Sequence, residues 1–229
     1  MRIGLKKEDL RYYLAALLIA GLSNRGIFLL GHLLGEGARH RDLSLAGEPF
    51  LPFLPWTIWI YFAIIPWCMF VYYLVLRCDR PRADRFFCAL LLTKLICLLF
   101  FIFLPTSIER SEPGGDSPSV LMLRLLYFFD TPDNLFPSVH CLLAWLCWIG
   151  VRGKKAFPFA LRAAAFGMAI AVCVSTLTVR QHVIADVFSG ILLAELGYLL
   201  ANIGALHRLY ASLSDALARL IFRGRASSG

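Results

Sequence analysis

The sequence predicts an all-α polytopic membrane protein with six transmembrane helices and a C-terminal amphipathic helix. Three observations predict it. Hydrophobic residues make up 59% of the 229 and charged residues only 17%, with a mean hydropathy of +0.70; soluble domains of this size carry far more charge. Several apolar stretches approach the ~20 residues that cross a bilayer core as helix. The net charge of +8 is gathered in short segments between those stretches. That is the pattern of cytoplasmic loops facing anionic headgroups, and it argues against a nucleic-acid partner.

The elements follow in order. Span 1 is expected over Tyr12–Leu34; it is too long, and lacks the small-residue cleavage site, for a removable signal peptide. Gly35–Glu48 is polar and Gly-rich. Pro49–Pro55 is apolar but Pro-rich, and so reads as an interfacial or re-entrant segment. Span 2 covers Trp56–Leu76, with Trp56, Trp59 and Tyr61 suited to an aromatic belt. The next loop, Arg77–Arg85, holds four arginines, and span 3 covers Phe86–Leu104. Within the long polar connection Pro105–Pro137, Val120–Phe129 is expected as a short surface helix. Span 4 runs from Ser138 to about Val151, with room to continue past Arg152, Lys154 and Lys155; span 5 covers Phe157–Thr178 and span 6 His182–Ile203. The tail Ala205–Arg223 has apolar residues at helical spacing. It fits an in-plane amphipathic helix and, equally, one packed on the bundle's own loops. Residues 1–204 thus form the membrane domain and 205–229 the tail.

Lysine and arginine set the orientation. The N-terminus, the loops after spans 2 and 4, and the tail are basic, so all four are expected in the cytoplasm. The loop after span 3 and the turn between spans 5 and 6 then face outward together. Six of the seven cysteines lie inside apolar runs, where cysteine packs as a small hydrophobe; no disulfide or metal ligand set is expected from them.

Those two outward connections carry the chemistry. The first ends in Phe136-Pro137-Ser138-Val139-His140 and the second in Arg180-Gln181-His182-Val183-Ile184-Ala185-Asp186. Histidine and aspartate are costly near hydrocarbon, and membrane proteins that keep them there use them. His182 and Asp186 are four apart, one above the other on a helix. A carboxylate at one ring nitrogen raises the basicity of the other, making His182 a nucleophile toward phosphorus with Asp186 orienting it. Ser138 suits the N-cap of span 4, whose free amides, including that of Val139, suit a phosphate. His140 in that first turn can protonate a leaving oxygen. Arg180 and Arg110 are the candidate phosphate cations, with Arg124 a weaker one, because arginine's fork matches phosphate oxygens. With no third ligand beside His182 and Asp186, no metal site is expected.

These blocks resemble the type 2 phosphatidic acid phosphatase (lipid phosphate phosphatase) superfamily. That family carries a Lys/Arg-Pro block, a Pro-Ser-Gly-His block and a block ending in Arg, His and Asp. Here the second block is Pro137-Ser138-Val139-His140, with valine in place of glycine, and the third is Ser175-Thr176 followed by His182 and Asp186. Thr176 stands where the family has arginine, and Arg180 lies two residues before the histidine. The first block is reduced to Arg110-Ser111 with Pro113 beyond. The basic-Gln-His string resembles the branch related to inositol phosphorylceramide synthases and their bacterial relatives. The resemblance implies a metal- and cofactor-independent hydrolase of a lipid phosphate or diphosphate in a bacterial inner membrane, with an outward-facing active site. His182 would form a phosphohistidine, Asp186 would orient it, His140 would be the general acid, and Ser138 would hold phosphate. A phosphotransferase delivering the group to an alcohol, and a non-catalytic lipid transporter or scramblase, are the alternatives. The partners are membrane lipids and the lipid phosphate.

Two charges inside spans remain. Lys94 lies ~12 Å into span 3 and Glu195 ~20 Å into span 6 from the other side, at 1.5 Å per residue. Matching depths suggest a buried ion pair. Arg25 in the outer half of span 1 is a weaker candidate for the site.

Overall fold

The computed structural model describes residues 7–35, 38–45, 48, 51–110, 112–153 and 157–222, and these form eight α-helices: α1 (Lys7–Gly35), α2 (Ile58–Leu76), α3 (Arg80–Phe103), α4 (Pro118–Phe129), α5 (Val139–Val151), α6 (Phe159–Thr178), α7 (Ile184–Leu200) and α8 (Gly204–Phe222). Four are long and apolar enough to cross a membrane: α1, α2 with the 3₁₀ turn Pro55–Thr57, α3 and α6. The α7–α8 pair passes the same test together but is bent by 89°. The chain is thus an all-helical protein with four or five apolar spans, compatible with a multi-pass membrane protein. The central helix α5 has only 13 residues, about 20 Å of a ~30 Å core.

Helix ends follow local chemistry. Ser138 caps α5 as expected, its Oγ accepting from Cys141 N at 3.3 Å. The helix stops at Arg152, before Gly153 at φ +70°, so span 4 does not continue through the basic loop. Ser117 caps α4 through Val120 N, with Pro118 in the first turn. The start of α3 differs from expectation. Asp79 and Pro81 open the helix at Arg80, so three of the four loop arginines are helical; an acid just before a first-turn proline is a start signal. Arg80 bridges Asp84 at 3.0 Å and Asp215 of α8 at 2.8 Å, which ties α3 to the last helix. Tyr12 of α1 donates to Asp84 at 2.8 Å.

The tail forms the expected amphipathic helix, α8, with one face on α1 and α3. Tyr210, Ser214 and Ala218 are buried against the bundle, while Leu209, Leu213 and Leu220 stay exposed. The expected Lys94–Glu195 pair does not form. Lys94 donates to Ala20 O at 2.8 Å and lies 3.4 Å from Ser23 Oγ. Glu195 takes both guanidinium nitrogens of Arg152 and the Trp145 indole N–H at 2.8 Å. Equal depth along two helices says nothing about which way each side chain points around them.

At one end of the bundle the connections form a roof. Backbone bridges join Arg41 to Thr106 and Ser107 to Asp133, and Thr106 Oγ1 accepts from Leu135 N and Phe136 N. Under this roof α5 and α7 begin side by side. A Cβ on Gly190 of α7 would lie 2.6 Å from Ser138 O, so only glycine allows this approach. The amide of Ser138 donates to Asp186 O at 3.0 Å, locking the first turns together.

Candidate active site

The two histidine strings meet. The rings of His140 and His182 are 6.1 Å apart, tilted by 55°, on the wall of a narrow cleft. His182 Nδ1 is 3.2 Å from Asp186 Oδ2, and the His182 and Asp186 side chains are 8% and 1% exposed. The same carboxylate oxygen accepts from Val183 N at 3.1 Å. Asp186 therefore holds the ring and caps α7 at once. With Nδ1 committed, Nε2 is the nitrogen left to face the cleft.

His140 is held by a residue that the sequence reading placed elsewhere. Tyr61, expected in an aromatic belt, is 2% exposed. Its ring stacks on His140 at 4.2 Å, and its hydroxyl is 3.3 Å from His140 Nδ1. Trp56 and Trp59 do remain exposed. One aromatic among several in a span carries no periodic signal that separates it from belt residues. Only the position of His140 on the facing helix does so.

The predicted phosphate ligands divide. Val139 lines the cleft beside His140, and as first-turn residues of α5 both carry amides without a helical acceptor. Ser138 is fully buried, with its hydroxyl engaged by Cys141 N; it stands behind the cleft wall. Arg180, at φ +55°, donates to Leu51 O at 3.3 Å and does not line the cleft. With Leu54 N bonded to Thr178 O, it pins the 51–57 segment onto the α6–α7 turn. Arg25 is exposed, and it is Phe28 of α1 that reaches the cleft. Arg124 clamps Pro113 O at 3.0 Å and Asp116 at 3.4 Å, anchoring α4.

Arg110 is the cation behind the cleft. Its side chain is 5% exposed. It donates to Asp130 O at 2.7 Å and to Gln181 Oε1 at 2.8 Å. That second bond fixes the amide: Oε1 faces the guanidinium, so Nε2 faces the other way. Gln181 lines the cleft, is 1% exposed, and its Nε2 has no acceptor among the described residues. A buried donor without a partner is uncommon and calls for an acceptor. Gln181 was legible only as the residue before His182; nothing in its spacing singled it out.

Two carboxylates, Asp130 and Asp133, also line the cleft. Burial pushes the Asp130 carboxyl above the usual carboxylate range, with Arg110 opposing. The same burial pulls the Arg110 guanidinium below its ordinary value, with Asp130 holding it up. Asp133 lies 3.3 Å from His32 Nδ1, which joins the end of α1 to the roof. Glu48, from the α1–α2 connection, accepts from Ile184 N at 2.7 Å, a second carboxylate on the N-terminus of α7. Among the described residues no three His, Cys, Asp or Glu side chains converge as metal ligands.

No family model, curated protein or solved structure matches the chain.

Proposed function

We propose that the chain is a membrane phosphatase acting on a lipid phosphate through a phosphohistidine on His182. The observation that carries this reading is the meeting of two histidines in one cleft, one held through Nδ1 by Asp186 and the other by Tyr61. Gln181 Nε2, with no acceptor among the described residues, and the first-turn amides of α5 line the same cleft, which suits an anion. The chain belongs, on this reading, with the lipid phosphate phosphatases that its motifs resemble.

The reaction has two steps. His182 Nε2 attacks phosphorus as the P–O bond to the lipid breaks, and His140 gives its proton to the leaving alkoxide. Water then attacks the phosphohistidine, its proton passing to His140, and the P–N bond breaks to release inorganic phosphate and His182. Asp186 stabilises the positive ring of His182, and Arg110 acts on the phosphate through the Gln181 amide. Six spans are proposed, α1, α2, α3, α5, α6 and α7, with α4 and α8 in the membrane plane. Both termini face the cytoplasm and the cleft opens outward, because the basic segments lie at the far end. The short helix α5 then starts below the membrane surface, so a lipid headgroup enters from the side.

The test is phosphoenzyme trapping. Incubation with radiolabelled phosphatidic acid and quenching in alkali should leave label on the protein, and acid should remove it. His182→Ala should carry none and release no phosphate. Full phosphate release by that variant refutes the reading, and an acceptor alcohol in a parallel arm separates hydrolysis from transfer.

A further inference from the structure

At the end of the bundle away from the histidines, the α5–α6 turn leaves an open groove of about 410 Å3. Its walls are Trp148, Phe159 and Phe166, with Arg152 and Arg162 among them. The two arginines differ in their surroundings. Arg152 is neutralised by Glu195 and lies over Trp148 at 4.6 Å. Arg162 sits 5.9 Å from the Phe159 ring, and its Nε is buried with no hydrogen-bond acceptor among the described residues. An apolar groove holding a guanidinium with no carboxylate partner among the described residues asks for an anion with a hydrophobic body.

The groove continues into a track. Along α6, Phe166, Ile170 and Val174 are 43%, 41% and 49% exposed, at spacings that keep them on one face. From Arg162 to Val174 the helix rises about 18 Å, close to one leaflet of a ~30 Å hydrocarbon core. A phosphate held by Arg162 would therefore lay an acyl chain along this stripe.

We propose that this groove is a binding site for an anionic glycerophospholipid, with its phosphate on Arg162 and one acyl chain along the exposed face of α6. Basic pockets between membrane helices take such headgroups. The site is distinct from the histidine cleft and stands whether or not that cleft is catalytic.

Trp148 in the groove wall is the reporter. The full chain is placed in phosphatidylcholine nanodiscs, and dibrominated phosphatidylglycerol or dibrominated phosphatidylcholine is titrated in. The Trp148 signal is the difference between wild type and Trp148→Phe. Brominated phosphatidylglycerol should quench it at about tenfold lower mole fraction than brominated phosphatidylcholine, and Arg162→Gln should erase the preference. Ala163→Leu, which narrows the groove but keeps the charge, should weaken both titrations; it also serves if Arg162→Gln fails to fold. Millimolar inorganic phosphate should not displace the lipid. Equal quenching by the two lipids, a preference that survives Arg162→Gln, or displacement by free phosphate each overturns the proposal.

Discussion

Gly190→Ala probes the contact on which the site depends. Its Cβ would lie 2.6 Å from Ser138 O and 3.3 Å from both Cys141 Cβ and Leu142 N. Two of these are backbone atoms of the α5 first turn and cannot rotate away. Relief to an ordinary 3.4 Å contact needs a shift of roughly 0.8 Å between α7 and α5. Overpacking of this kind costs about 1–3 kcal/mol. The same shift separates His182 from His140, and a displacement near 1 Å costs on the order of 100-fold in rate. Phosphate release from a lipid phosphate in mixed micelles, alongside thermal melting, measures both effects. Gly167→Ala in α6 is the control: no atom lies within 4 Å of its added Cβ, so rate should hold and stability should rise by up to about 1 kcal/mol. A Gly190→Ala protein with wild-type melting and wild-type rate would refute the argument that close packing at Ser138 sets the site.

Further outcomes are expected at other positions. Tyr61→Phe keeps the stack on His140 but removes the hydroxyl, so phosphate release should fall about 3- to 10-fold, for a bond worth about 1 kcal/mol. Asp130→Asn tests the raised carboxyl: the folded protein holds that proton to higher pH than the unfolded chain, so this group's contribution is full in acid and lost as pH rises through the raised value. Melting across pH should show Asp130→Asn gaining over wild type above that range and converging with it in acid. Lys94→Met removes a buried ammonium with no carboxylate partner among the described residues, so the melting midpoint should rise or hold; Glu195→Gln should act additively with it, because the two side chains do not meet. Glu48→Ala should lower stability by about 1 kcal/mol through the lost cap on α7, read by the same melting assay.

Polarity where hydrocarbon was expected made part of this legible from sequence. His140, His182 and Asp186 stood out because they sit at the ends of apolar runs, and Ser138 after a proline announced a cap that the helix uses. The remainder depended on direction around a helix. In a membrane bundle the lipid face is as apolar as the core, so periodicity does not tell which side of α2 carries Tyr61 inward, or that Lys94 turns to α1 and Glu195 to α5. The charge of Arg180 and its closeness to His182 suggest a phosphate ligand, but a left-handed backbone turns it toward Leu51. Gln181, beside it, carries the unfilled donor because a distant arginine fixes its amide.

The carboxylate of Glu48 on Ile184 N joins residues 136 positions apart. The α1–α2 connection is made early in synthesis, yet its docking point appears only when the last apolar helix arrives. Until then the α1–α2 connection lacks this anchor, and Asp186, which holds His182, is not in place. On the proposed reading, the growing chain therefore keeps His182 outside a complete site until α7 is made, and fragments ending before α7 should lack the cleft.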